Sequence, residues 1–192
     1  DGEVLRADSQ VVFSEAERLL AARHLLYEGA AERLSASGSV ALRDPGFEGV
    51  LRADRLVFDL HNERGYLLGE PVLKRDGESG ELLLSADSLY FDLAAKELGG
   101  AENFVLQSGG LRSHSRAGTY SAEGDTATQV VLIGAVELEQ RDDDGDYHSR
   151  IEADSLLVLL EGITVSKVVV PGALKGVVEM GGERMSWIEG RG

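Results

Sequence analysis

One phrase returns along this chain and limits what it can fold into. It is clearest as Leu84-Ser85-Ala86-Asp87-Ser88-Leu89-Tyr90-Phe91-Asp92-Leu93. Leu51-Arg52-Ala53-Asp54-Arg55-Leu56-Val57-Phe58-Asp59-Leu60 and Ile151-Glu152-Ala153-Asp154-Ser155-Leu156-Leu157-Val158-Leu159-Leu160 repeat it, and Leu20 to Glu28 is a fainter copy. Its central alanine falls at Ala22, Ala53, Ala86 and Ala153, with a degenerate copy centred on Ala117. A near-constant period of about thirty residues is the mark of stacked units, each of which buries its apolar face only against its neighbours.

Within the phrase, apolar or small residues occupy the alanine and the position two before it. They recur three, five and seven positions after it, as in Leu56, Phe58 and Leu60. Each half alternates with period two, the spacing of a strand. Between the halves the parity slips by one residue at Ala-Asp, which predicts a bulge or corner that returns the side chains to the same face. Glycine steps lie between copies, in Ser37-Gly38-Ser39-Val40, Leu68-Gly69-Glu70-Pro71, Gly100-Ala101-Glu102-Asn103 and Ile133-Gly134-Ala135-Val136. Each repeat therefore reads as a kinked strand, a turn, a glycine step and a second strand.

Val4 to Phe13 carries its own Ala7-Asp8 and reads as a terminal half-unit. Ser14 to Leu26 is rich in helix formers, yet it aligns with the phrase, and the strand reading is preferred. Arg75-Asp76-Gly77-Glu78-Ser79-Gly80 and Asp142-Asp143-Asp144-Gly145-Asp146 are expected hairpin tips. Residues 1–182 read as one domain. Residues 183–192 read as a terminal strand and tail, and Ile188-Glu189-Gly190-Arg191 spells a protease site used to trim expression fusions, so those residues read as partly a cloning scar.

The remaining composition excludes function classes. A net charge of −15, from 34 acidic and 19 basic residues, repels phosphates, so nucleic acid and anionic membrane surfaces are not expected partners. The absence of cysteine removes disulfides and thiolate chemistry. No run reaches the roughly 18 apolar residues of a membrane span. His24, His61, His114 and His148 are scattered without ligand spacing, and Ala153 stands where an EF-hand loop beginning at Asp142 would need glutamate. Ser113-His114-Ser115 pairs a nucleophile type with a base type, but strand neighbours point to opposite faces. No phosphate loop, dinucleotide fingerprint or nucleophile elbow is present. The expectation is a protein that is not an enzyme and uses no metal or cofactor.

The phrase "L-x-A-D-x-L-x-F-D", alternating with glycine steps such as Gly69-Glu70-Pro71-Val72-Leu73 and ending in Lys167-Val168-Val169-Val170-Pro171, resembles the OstA-like domain of the lipopolysaccharide-transport (Lpt) family, which includes LptA-like and LptC-like modules and the amino-terminal domain of LptD. The similarity runs from about Val4 to Val178. The resemblance implies an all-β fold, a twisted β-jellyroll built from antiparallel repeats and open at both ends. It implies a periplasmic carrier that shields lipid A acyl chains in an apolar groove, within a bridge from inner to outer membrane. Its implied partners are lipopolysaccharide and other Lpt bridge proteins, or a second copy joined head to tail by strand addition.

The alternation independently names the side chains that would line such an interior. From the phrase they are Leu56, Phe58, Leu60, Leu89, Phe91, Leu93, Leu156, Val158 and Leu160, with Tyr27 and Tyr120 from weaker copies. Val40, Leu42, Phe104, Leu106, Val136 and Leu138 come from the second strands. The same stripes would equally fill the core of a structural β-solenoid that binds nothing, and that alternative stays open from sequence alone.

Overall fold

The computed structural model describes residues 3–15, 17–78, 80–123, 127–141, 147–171, 174–180 and 183–189. Side chains are described as far as residue 171, except those of 123, 127 and 147. Among the described residues fifteen strands form one antiparallel sheet, joined by turns and one short 3-10 segment at Gly29–Ala31. Four long strands open it: β1 (Val4–Glu15), β2 (Arg18–Glu28), β3 (Arg33–Asp44) and β4 (Gly49–Asp59). Each pairs with the next, and the segment rich in helix formers lies in β1 and β2. Helix propensity is a weak prior, and here cross-strand pairing of the apolar face overrides it.

The middle of the sheet is cut into half-length strands. β5 (Arg64–Leu68) and β6 (Val72–Gly77) both pair with β4, while β7 (Gly80–Ser85) and β8 (Ser88–Asp92) both pair with β9 (Glu97–Ser108). Long strands then resume as β10 (Leu111–Glu123), β11 (Ala127–Arg141) and β12 (Tyr147–Glu161). β12 carries β13 (Thr164–Val169) on one half and β14 (Leu174–Met180) on the other, and β15 (Glu183–Glu189) ends the sheet. The Asp-Gly tip at residues 75–80 is the β6–β7 hairpin, with Gly77 opposite Gly80. The tip expected at residues 142–146 lies outside the described residues.

A single line of corners bends this sheet into two facing layers. In β4, Leu51 and Ala53 point inward, Asp54 and Arg55 outward, and Leu56 and Phe58 inward again. The parity slip at Ala-Asp is therefore real. The neighbouring strand adds one residue more, because Ser37 pairs with Arg55 while Val40 pairs with Ala53. That extra length is taken up by two consecutive left-handed residues, Gly38 and Ser39 (φ 80° and 56°). The same pair recurs as Gly69–Glu70, Glu102–Asn103, Gly134–Ala135 and, in β1, Ser9–Gln10. Glycine suits the first position because a Cβ on Gly69 would lie 2.6 Å from the Cβ of Asp54. At Gly38, Glu102 and Gly134 the step is thus a corner inside one continuous strand, whereas Gly69–Glu70 separates β5 (Arg64–Leu68) from β6 (Val72–Gly77), the second strand the pattern predicts.

These corners correct the register of the degenerate copy. In β10 the inward residues are Leu111, Ser113 and Ser115, then Gly118 and Tyr120. The slip falls at Ser115–Arg116, and Gly134 packs on Arg116 as Gly69 packs on Asp54. Ser115, not Ala117, holds the alanine position. Likewise β1 contributes one strand of a repeat, as expected of a half-unit, but its corner is Ser9–Gln10 and not Ala7-Asp8.

The aspartate that closes the phrase also has a structural meaning. Asp59 accepts from the backbone N–H of Asn62 at 3.0 Å, and Asp92 from that of Ala95 at 2.9 Å. Each pins a tight turn that ends in a left-handed residue, Glu63 or Lys96. The backbone donor holds each carboxyl below the ordinary aspartate value of 3.8, seconded at Asp59 by the Asn62 amide and at Asp92 by Arg64. A lowered folded-state pKa contributes stability above the unfolded pKa that is lost as pH falls through the folded one. The double variant Asp59→Asn, Asp92→Asn is expected to show a shallower fall of Tm on acidification below about pH 4, measured by thermal melts across that range.

Candidate functional site

Inward side chains of both layers merge into one continuous apolar core. Fifteen of the seventeen residues named from the alternation are packed within it: Val40, Leu42, Leu56, Phe58, Leu89, Phe91, Leu93, Phe104, Leu106, Tyr120, Val136, Leu138, Leu156, Val158 and Leu160. Around the middle repeat the packing leaves no room for water, and Leu67, Leu73, Leu84, Leu89, Phe104 and Leu106 are all 0% exposed. Phe91 anchors this region, with Phe58 at 5.5 Å and Phe47 edge-on at 6.5 Å between ring centroids. Phe47 sits on the turn between β3 and β4, a position the period-two stripes do not reach.

The other two, Tyr27 and Leu60, are only partly buried and meet Phe58 at the β1 end of the molecule. There the layers part around a cavity of about 640 Å³ lined also by Leu5, Phe13, Leu25 and Leu34, with Glu15, Arg18 and Glu63 at its polar edge. It exists because β1 is the last strand of the sheet, so its inward residues have a neighbour on one side only. Leu5 is 49% and Phe13 40% exposed in consequence. Leu5, Phe13, Leu25 and Leu34 are sites that the phrase did not single out. The signal was available, since all four share the inward parity of their strands.

A seam opposite the corners holds the free edges of the two layers together. At the cavity, the Arg18 guanidinium donates to Asp44 at 2.8 Å and to Glu63 at 2.9 Å. Desolvation works against that charge, but the bonds from Glu63 and Asp44 outweigh it and raise the Arg18 pKa. Further along, Arg75 of β6 donates through Nη1 to the Tyr120 hydroxyl of β10 at 2.6 Å and through Nη2 to Glu48. Burial pushes the Tyr120 pKa up, against the pull of Arg75 and Thr128. Ser108 then donates to the carbonyl of Ile163. Although it begins the hairpin tip, Arg75 shares the inward parity of Leu73 and is only 6% exposed.

The polar groups considered for catalysis are dispersed. Ser113 and Ser115 face the interior while His114 faces solvent. His24 contacts Asp8 at 2.7 Å and His61 contacts Glu32 at 3.1 Å, both exposed. Among the described residues no three acidic or imidazole side chains converge on a metal-sized site, and no helix is long and apolar enough to cross a membrane. Comparison of the sequence with models of known protein families and with curated proteins returns no match.

Proposed function

We propose that this chain is a lipid carrier of the lipopolysaccharide-transport kind, a twisted jellyroll that shelters acyl chains between its layers in the periplasm. One observation carries the reading: the apolar cavity at the β1 end, where Tyr27, Phe58 and Leu60 of the repeat phrase meet Leu5, Phe13, Leu25 and Leu34. Its volume of about 640 Å³ is that of a small-molecule site, within a usual span of about 300–1,000 Å³. Each methylene moved from water into such a wall gains about 0.8 kcal/mol, so a twelve-carbon chain gains at most about 10 kcal/mol before the costs of ordering it. The carrier has no catalytic work to do. The free backbone edge of β1 suits strand addition by a second copy or by another bridge module, and such head-to-tail pairing does not close.

The packed middle of the core favours a second reading, a structural module that binds no ligand. One experiment separates the two. Leu5→Asp places a carboxylate in the cavity wall, where a seated acyl chain would have to desolvate it at a cost of several kcal/mol. Binding of lipopolysaccharide, and of a fluorescent fatty-acyl probe, is expected to weaken at least about a hundredfold. Val12→Asp, on the outward face of the same strand, is expected to leave binding unchanged. Titration by fluorescence with both variants decides it: no binding by the native chain, or equal losses in the two variants, removes the carrier.

A further inference from the structure

We propose that Arg75 is the site for the anionic group of an amphiphilic ligand, taking a phosphate or carboxylate oxygen in the place Glu48 fills in the free protein. This rests on the carrier reading above and adds to it where the ligand's head is held. Arg75 is the one buried cation among the described side chains, at 6% exposure. A guanidinium withdrawn from water is costly unless its charge and its donors are met. Here they are met incompletely. Nη1 is taken by the Tyr120 hydroxyl and Nη2 by Glu48, but the buried Nε has no partner.

The geometry of the vacancy points to an oxyanion. Nε and Nη2 form the side-on fork of the guanidinium, which matches two oxygens of a carboxylate or phosphate. Glu48 occupies one tine and leaves the other empty. Glu48 itself belongs to solvent, with 72% of its side chain exposed, on the turn between β3 and β4 and at a left-handed φ of 49°. A carboxylate therefore already reaches this fork from outside, and an anion from solution can follow the same approach once Glu48 swings away. On its inner side Arg75 is flanked by Leu73 on its own strand and Leu82 across the hairpin, both fully buried. A headgroup held here lies at the seam where the two layers meet, and its tail enters by parting the packed side chains there. Elsewhere a chain with a net charge of −15 discourages anions, which makes one internal guanidinium with an exchangeable partner selective.

The test is calorimetric titration of the full chain with three probes, dodecyl phosphate, dodecyl maltoside and inorganic phosphate. Glu48→Gln removes the competing carboxylate from a surface turn without disturbing the core. It is expected to tighten dodecyl phosphate about tenfold and to leave dodecyl maltoside unchanged. Arg75→Gln, checked for a cooperative melt, is expected to erase the preference of phosphate over maltoside. If Glu48→Gln instead lowers Tm and shifts both amphiphiles alike, the trio is a structural clasp and the proposal falls. Inorganic phosphate binding as tightly as dodecyl phosphate would overturn the assignment to an amphiphile. Failure of the native chain and both variants to bind either amphiphile would remove the carrier reading and this site with it, whereas normal maltoside binding with no response to Glu48→Gln removes only the site.

Discussion

Phe91→Asp is expected to abolish folding rather than to report on ligand binding. Phe91 is 1% exposed and touches two other rings, Phe47 and Phe58. Truncating a buried phenylalanine costs about 3–5 kcal/mol from lost burial and the cavity left behind. An aspartate at the same place adds an unpaired carboxylate, at several kcal/mol more even after relaxation or protonation. Together these match the whole stability of a typical domain, about 5–15 kcal/mol. The variant should show no cooperative thermal transition and should lose its β-sheet circular dichroism. A native-like melt would mean that the interior around Phe91 is loose enough to admit water, as a continuous groove would require. Leu156, equally buried, should behave the same way, so charge substitutions in the middle of the stripes are poor probes of lipid binding compared with Leu5.

Gly118→Val is expected to be the next most damaging single change, and its effect should depend on one partner. Gly118 pairs with Gly100 across β10 and β9, and both backbones lie under the ring of Phe104. A Cβ on Gly118 would stand 2.3 Å from that ring, and one on Gly100 2.5 Å. Phe104 is 0% exposed, so the ring has no space into which to retreat. Valine is otherwise the better strand residue, which biases the position in its favour. Overpacking should nevertheless win, at about 1–3 kcal/mol or more. Phe104→Ala alone should cost about 3–5 kcal/mol, while the double variant should cost much less than the sum, because valine fills the space the ring vacates. Urea denaturation of the four proteins measures the coupling. Additivity within about 0.5 kcal/mol would show that the glycine pair and the ring are independent.

The phrase and its corners show where reading the residues succeeds and where it stops. Alternation about Ala53-Asp54 located both the inward stripe and the parity slip, because burial of one sheet face imposes a period of two on any strand. It did not locate the left-handed pairs. Glu102 and Ser9 adopt at the corner the conformation that Gly38, Gly69 and Gly134 adopt elsewhere. Only the neighbouring strands force that conformation on a non-glycine residue. The copy in β10 was misplaced by two residues for a related reason. Ser113 and Ser115 face the core, and a hydroxyl buried at an apolar position looks outward to any pattern based on hydrophobicity.

What the amino acids decide by themselves is local and periodic: the strands, the side of each that turns inward, and the turns pinned by Asp59 and Asp92. Those features follow from sterics and from the two-residue repeat of a pleated chain. Where the interior is full and where it opens is decided only in three dimensions. Phe58 lines a cavity while Phe91, its counterpart in the next repeat, is sealed in the core. The difference lies in which strand stands next, since β1 leaves its inner face covered from one side. Arg75 is buried for the same kind of reason. Its strand points it inward, and a tyrosine forty-five residues later meets it there.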